Sequence, residues 1–148
     1  MDSLKILRGD WVIVCDGKKA LLLENVGDAV HPSLRTREVH QHADEKTHEQ
    51  GSDAPGRAIS SVGEVRSALD QTDWHDQAER AFLADLAGRL DAAVTSGKAK
   101  ALIMVAPPRA LGVLRRAYSS HVRASLRAEI DKDLVRLPVH EIERHLAA

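Results

Sequence analysis

Aromatic side chains are scarce in this sequence, with one Phe, one Tyr and two Trp among 148 residues. A core built almost without rings must come from Leu, Val, Ile and Ala. A surface that stacks unpaired nucleotide bases on rings has little to work with. Cysteine is nearly absent too. The single Cys15 excludes an internal disulfide, and its place in the apolar run WVIVC marks a buried, inert thiol rather than a nucleophile. Nothing points to an oxidising compartment. No segment approaches the roughly eighteen apolar residues of a membrane span, and the opening MDSLKILRGD lacks the apolar stretch of a signal peptide. The expectation is a cytoplasmic chain with no membrane span. Familiar catalytic signatures are missing as well: there is no Gly-rich phosphate loop, no G-x-S-x-G and no paired C-x-x-C.

One further absence is local. Between Lys98 and Ala128 there is no carboxylate, although seven basic residues fall there: Lys98, Lys100, Arg109, Arg115, Arg116, Arg123 and Arg127. The net charge of −1 hides this, because residues 1–97 sum to −6 and residues 98–148 to +5. A phosphate or a polyanion would be drawn to the basic part. A solvated basic helix face that balances the acidic part is the plainer alternative.

What is present reads as an α/β protein. At 148 residues, 43% hydrophobic and 29% charged, the chain has the size and composition of one soluble domain with its own core. Trp11 to Cys15 and Ala20 to Val26 are apolar runs that turn on Asp16-Gly17 and predict a hairpin. Leu34 to Gln41 predicts a third, edge strand. From residue 42 to residue 72 the apolar pattern dissolves into Gly, Ser, Asp and Glu, so a mobile loop is expected. Asp73 then reads as an N-cap for a helix with Ala78, Phe82, Leu86, Leu90, Ala93 and Val94 on one face, ended by Ser96-Gly97. Ala101 to Ala106 predicts a buried strand stopped by Pro107-Pro108. Leu111, Leu114 and Tyr118 mark a second helix, whose face Val122 and Leu126 extend after a break near Ser119-Ser120. Glu129 to Leu137 predicts a last strand, with a helical extension as the alternative, and Pro138 starts a terminal helix carrying Val139, Ile142 and Leu146. An antiparallel meander followed by βαβ units makes a mixed sheet covered by helices, similar to the ribonuclease-H-like arrangement.

The blocks WVIVCDGKKALLLE, DAPGR, Asp73 and His75, Phe82, VAPPRALGVLR and AEIDKDL, in that order, resemble the bacterial host attachment protein family. The resemblance implies a fold like the middle domain of eukaryotic and archaeal peptide release factors and a kinship with their bacterial relatives. It implies a phenotype, attachment to host cells, and no catalytic residue. Release factors act through a Gly-Gly-Gln tripeptide, which this sequence lacks, so peptidyl-tRNA hydrolysis is not expected. A two-metal nuclease would need converging carboxylates. Asp16 with Asp131 or Asp133 are the candidates, but the fourth strand ends in proline, and Asp16 suits the hairpin turn.

The histidines His40, His42 and His48 stand beside Asp44, Glu45 and Glu49 in a segment without a rigid frame, so no resident metal is expected. No cofactor is called for either. The reading that remains is a non-catalytic cytoplasmic interaction protein contributing indirectly to attachment. Its partner would be an unidentified protein or a ribosomal or RNA component, with an uncharacterised hydrolase or nuclease as the enzymatic alternative. The candidate binding residues are Arg109, Arg115 and Arg116 at the strand-to-helix corner, with Arg57 of the DAPGR block. Arg109 in a first helical turn opposes the helix dipole, which structure alone does not require. Free N–H groups at the helix start plus arginines make an anion site there. The competing expectation is that these arginines pair with Asp131 or Asp133.

Overall fold

The structure is a computed structural model and describes residues 5–42 and 68–147. Strand β1 (Trp11–Cys15) turns into β2 (Lys19–Asn25), and β2 turns into β3 (Leu34–Gln41), all antiparallel. The first turn is closed by Asp16, whose Oδ1 accepts from the N–H groups of Lys18 and Lys19, both at 2.8 Å. This is the short-range turn chemistry that Asp-Gly foretells. After α1 (Ala68–Thr95) comes β4 (Leu102–Ala106), then α2 (Pro108–Ala117), α3 (Ser120–Ser125), β5 (Leu126–Asp131) and α4 (Val139–Ala147). The sheet order is β3-β2-β1-β4-β5. β4 pairs in parallel with both β1 and β5.

Every residue of β1 and β4 is buried, which is why both strands read as continuous apolar runs rather than as alternating ones. Their side chains still divide by parity. Trp11, Ile13, Cys15, Leu102, Met104 and Ala106 join Leu83, Leu86, Leu90, Leu111 and Leu114 on the face covered by α1 and α2. Val12, Val14, Ile103 and Val105 join Ile142 and Leu146 of α4 on the other face. The result is a single α/β domain in three layers, with four helices among the described residues. β3 is an edge strand, and its exposed Arg35 and Arg37 discourage pairing with other chains.

Two boundaries depart from the sequence reading. Helix α1 starts at Ala68, so Asp73 lies inside it and does not cap it. Ala68-Leu69-Asp70-Gln71 contains neither Gly nor Pro, so nothing local stops the helix from extending toward the N-terminus. The rest of the expected loop, 43–67, lies outside the described residues. The last strand spans Leu126–Asp131 rather than Glu129 to Leu137, so Leu126 opens β5 instead of extending the helical face. Leu134 and Val135 look strand-like in sequence because they are buried against the α4 face of the sheet. They sit in a turn, with Leu137 N–H donating to Leu134 C=O.

Ser119 marks the break between α2 and α3 and holds it. Its hydroxyl accepts from Val122 N–H at 3.1 Å as an N-cap and donates to Asp91 Oδ1 of α1 at 2.6 Å. His121 Nδ1 lies 3.2 Å from the same oxygen. The hydroxyl bond from Ser119 is the main cause holding the Asp91 carboxyl below its usual value of 3.8. A lowered folded-state pKa contributes stability above the ordinary value and loses it as pH falls through the lowered one. Asp91→Asn is therefore expected to be less stable than the parent at neutral pH. The difference should shrink when urea midpoints are measured below pH 3.8. A gap that stays constant down to pH 2 would contradict this assignment.

Candidate functional site

β1 and β4 are parallel neighbours, so their carboxyl ends lie at the same edge of the sheet. From there the chain leaves in opposite directions: β1 turns back into β2 on one side, and β4 passes through α2 to β5 on the other. Such a switch point leaves a crevice that neither connection fills. Here the crevice is a cleft of about 540 Å³, within the range of ligand sites. Asp16, Gly17 and Lys18 of the hairpin turn line one side, and Pro107, Arg109, Ala110, Val113 and Arg116 line the other. Asp76, Glu79, Arg80 and Leu83 of α1 form a wall, and Arg136 comes from the turn after β5.

The start of α2 faces this cleft with little of the usual compensation. Among the described residues no side chain caps it, its first turn carries no acidic residue, and Pro107 and Pro108 supply no N–H. The positive end of the helix dipole and the N–H groups after the prolines are thus left for another acceptor. Among the described residues, five cationic side chains from four parts of the chain line the same space: Lys18, Arg80, Arg109, Arg116 and Arg136. Arg109 pairs with Asp76. The other four make no ion pair among the described residues. Of the three carboxylates in the lining, Asp16 is occupied by its turn. Glu79 packs over the hairpin, so close that a Cβ on Gly17 would meet its side chain at 2.9 Å.

The candidate residues therefore separate. Arg109 and Arg116 share the cleft, whereas Arg115 turns away and binds Glu129 of β5, with Nη2 2.7 Å from Oε1. The sequence reading put Arg115 at the corner and named Asp131 or Asp133 as an alternative acidic partner. The pairing exists, but with Glu129. In the β4–β5 register Glu129 stands opposite Met104 and so faces α2. Arg115, Arg123, Arg127 and Glu129 line a second, shallower hollow of about 630 Å³ beside Tyr118. Burial first, and then the nearby Glu129 charge, push the Tyr118 hydroxyl to a raised pKa. Arg57 lies outside the described residues.

Lys18, Arg80, Asp76, Glu79 and Arg136 were not singled out from sequence. A signal existed for three of them, since Asp76, Glu79, Arg80 and Leu83 follow helical spacing and share one face. Nothing in the sequence links Lys18 or Arg136 to that face. Cys15 is buried beside Met104, and burial pushes its thiol up to about 12, far from a reactive thiolate. His40 pairs with Glu38 at 2.7 Å, and the His42 ring lies tilted beside Phe82 with ring centroids 6.1 Å apart. His48, Asp44, Glu45 and Glu49 lie outside the described residues. Among the described residues no three His, Cys, Asp or Glu side chains converge to hold a metal, and no helix is long and apolar enough to cross a membrane.

Fold and cleft together define a mixed-sheet α/β protein with a cationic crevice at its switch point. The family model described as "Protein required for attachment to host cells" matches residues 11–146, and the chain belongs to that family. No curated protein matches it. Family membership ties the chain to attachment to host cells.

Proposed function

We propose that the chain is a non-catalytic cytoplasmic interaction protein that contributes to host-cell attachment indirectly, by holding an anionic group of a partner protein in the switch-point cleft. The observation that carries this reading is the convergence of five cations from four parts of the chain on an uncapped helix start. Among the described residues that line the cleft there is no Ser, Thr, Cys, His or Tyr, and of the carboxylates there Asp16 is held by its turn and Asp76 by Arg109. This supports binding over turnover. The sheet order 3-2-1-4-5, with the first three strands antiparallel and β4 and β5 parallel to β1, supports the ribonuclease-H-like and release-factor-like reading of the fold. With the basic stretch from Lys98 to Ala128, it also supports a second reading, a ribosomal or RNA partner. Arg57 belongs to the proposed site through the family resemblance of its DAPGR block alone.

Affinity capture from lysate, with and without nuclease treatment, tests the proposal. The Arg109→Gln/Arg116→Gln double variant is expected to recover about three- to tenfold less partner at low ionic strength, with the deficit shrinking as salt screens the exposed charges. Arg115→Gln should leave recovery unchanged, because Arg115 faces Glu129 instead of the cleft. Equal recovery by all three proteins, with folding verified by circular dichroism, would sink the cleft reading. Loss of the partner on nuclease treatment would favour RNA over protein.

A further inference from the structure

Arg109 is the only cleft cation already held by a carboxylate among the described residues, and its partner Asp76 lines the same cleft. Arg109 stands at the start of α2, where an anion would meet the free helix N–H groups. Asp76 therefore occupies the guanidinium that an incoming anion would use first. We infer that Asp76 is an internal competitor for a phosphate group, latching Arg109 in the empty protein and releasing it when phosphate binds. The inference rests on the cleft reading given above and adds the ligand class and its regulation.

Phosphate fits better than carboxylate for a reason of charge and geometry. A tethered carboxylate acts at high effective concentration, so a free monoanionic carboxylate gains little by displacing it. A phosphate monoester brings a charge of about −1.5 to −2 and three acceptor oxygens. It can engage Arg109, the helix N–H groups and Arg116 together, whereas Asp76 reaches Arg109 alone. Lys18 and Arg136 add attraction without a competing ion pair. The latch is weak enough to open. Arg109 is 70% exposed and Asp76 31%, so the pair belongs to the class of surface ion pairs whose strength is small. Apparent affinity falls by the fraction of protein in which Arg109 is held away.

Titration calorimetry at low ionic strength, using inorganic phosphate and a short phosphoserine peptide against acetate and the matching aspartate peptide, provides the test. The parent should bind the phosphate probes and neither carboxylate control measurably. Tighter binding of the peptide than of free phosphate identifies a phosphorylated side chain as the source, and equal binding identifies the free ion. Asp76→Asn should bind phosphate about two- to fivefold more tightly. Glu79→Gln removes the same charge from the same cleft without freeing Arg109, and should tighten binding less. In an Arg109→Gln background the benefit of Asp76→Asn should drop to that of Glu79→Gln. If the two acidic variants behave alike in both backgrounds, the latch is wrong while the cleft stands. If Arg116→Gln does not weaken phosphate binding, or the parent binds no phosphate, the cleft reading itself fails. Carboxylate probes binding as tightly as phosphate would overturn the ligand class. Thermal melts of each variant show whether a lost signal reflects unfolding.

Discussion

Asn25→Ala is expected to lower unfolding stability by about 2–4 kcal/mol, since it orphans the buried Ile6 C=O and removes three part-buried bonds to other backbone groups, a buried group left unpaired costing about 1–3 kcal/mol. Asn25 is fully buried. Its Nδ2 donates to Ile6 C=O at 2.8 Å and to Asp28 C=O at 3.3 Å, and its Oδ1 accepts from Gly27 N–H at 2.9 Å and Ser33 N–H at 2.8 Å. One amide thus ties the segment before β1 to both ends of the loop between β2 and β3. The loop is too tight to collapse around the vacancy: a Cβ on Gly27 would lie 2.2 Å from His31 C=O. Against a typical total of about 5–15 kcal/mol, a loss of this size leaves a marginal protein. Urea unfolding followed by circular dichroism measures it, with Arg35→Ala on the exposed edge strand as a control that should stay within about 0.5 kcal/mol of the parent. A loss below about 1 kcal/mol for Asn25→Ala would mean that water takes over the amide's bonds.

Leu90→Ala should cost about 2–5 kcal/mol through lost transfer energy and the cavity left behind. Leu90 is fully buried on the inward face of α1, in the cluster that contains Trp11, Ile13, Met104 and Leu114. That cluster joins α1 to the sheet and to α2, so the loss is felt across the whole layer. Leu90→Met keeps the volume and should cost less than about 1.5 kcal/mol. Chemical denaturation of the pair separates cavity from chemistry, and equal losses for Ala and Met would show that the position is not close-packed. Arg89→Ala, on the solvent side with only an exposed pair to Asp85, should be nearly silent.

The candidate site was only half legible in the sequence, and adjacent residues show why. Arg115 and Arg116 are neighbours in the chain, yet consecutive helical positions point about 100° apart. Arg116 consequently lines the cleft, while Arg115 reaches the strand beside it. Which arginine does which depends on the angle at which α2 packs on the sheet, and on Glu129 lying opposite Met104. The stretch without carboxylates between Lys98 and Ala128 contains the corner that lines the cleft. The acidic wall that offsets it comes from α1 and carries Asp76, the residue that holds Arg109.

Elements governed by neighbours in sequence were determined by the sequence itself. WVIVC and LIMVA are strands because short apolar runs bounded by turn or proline signals have no better way to bury their side chains and pair their backbones. Asp16-Gly17 closes a hairpin by bonds spanning two and three residues. Tyr118 ends one helix and Ser119 caps the next. The tertiary structure alone decided that β1 pairs with β4 across an intervening helix, and so placed a crevice between their carboxyl ends. It also decided that Lys18, Arg80, Arg116 and Arg136 share that crevice. Such contacts follow from burying both faces of one sheet at once, a condition on the whole chain that no local window of sequence expresses.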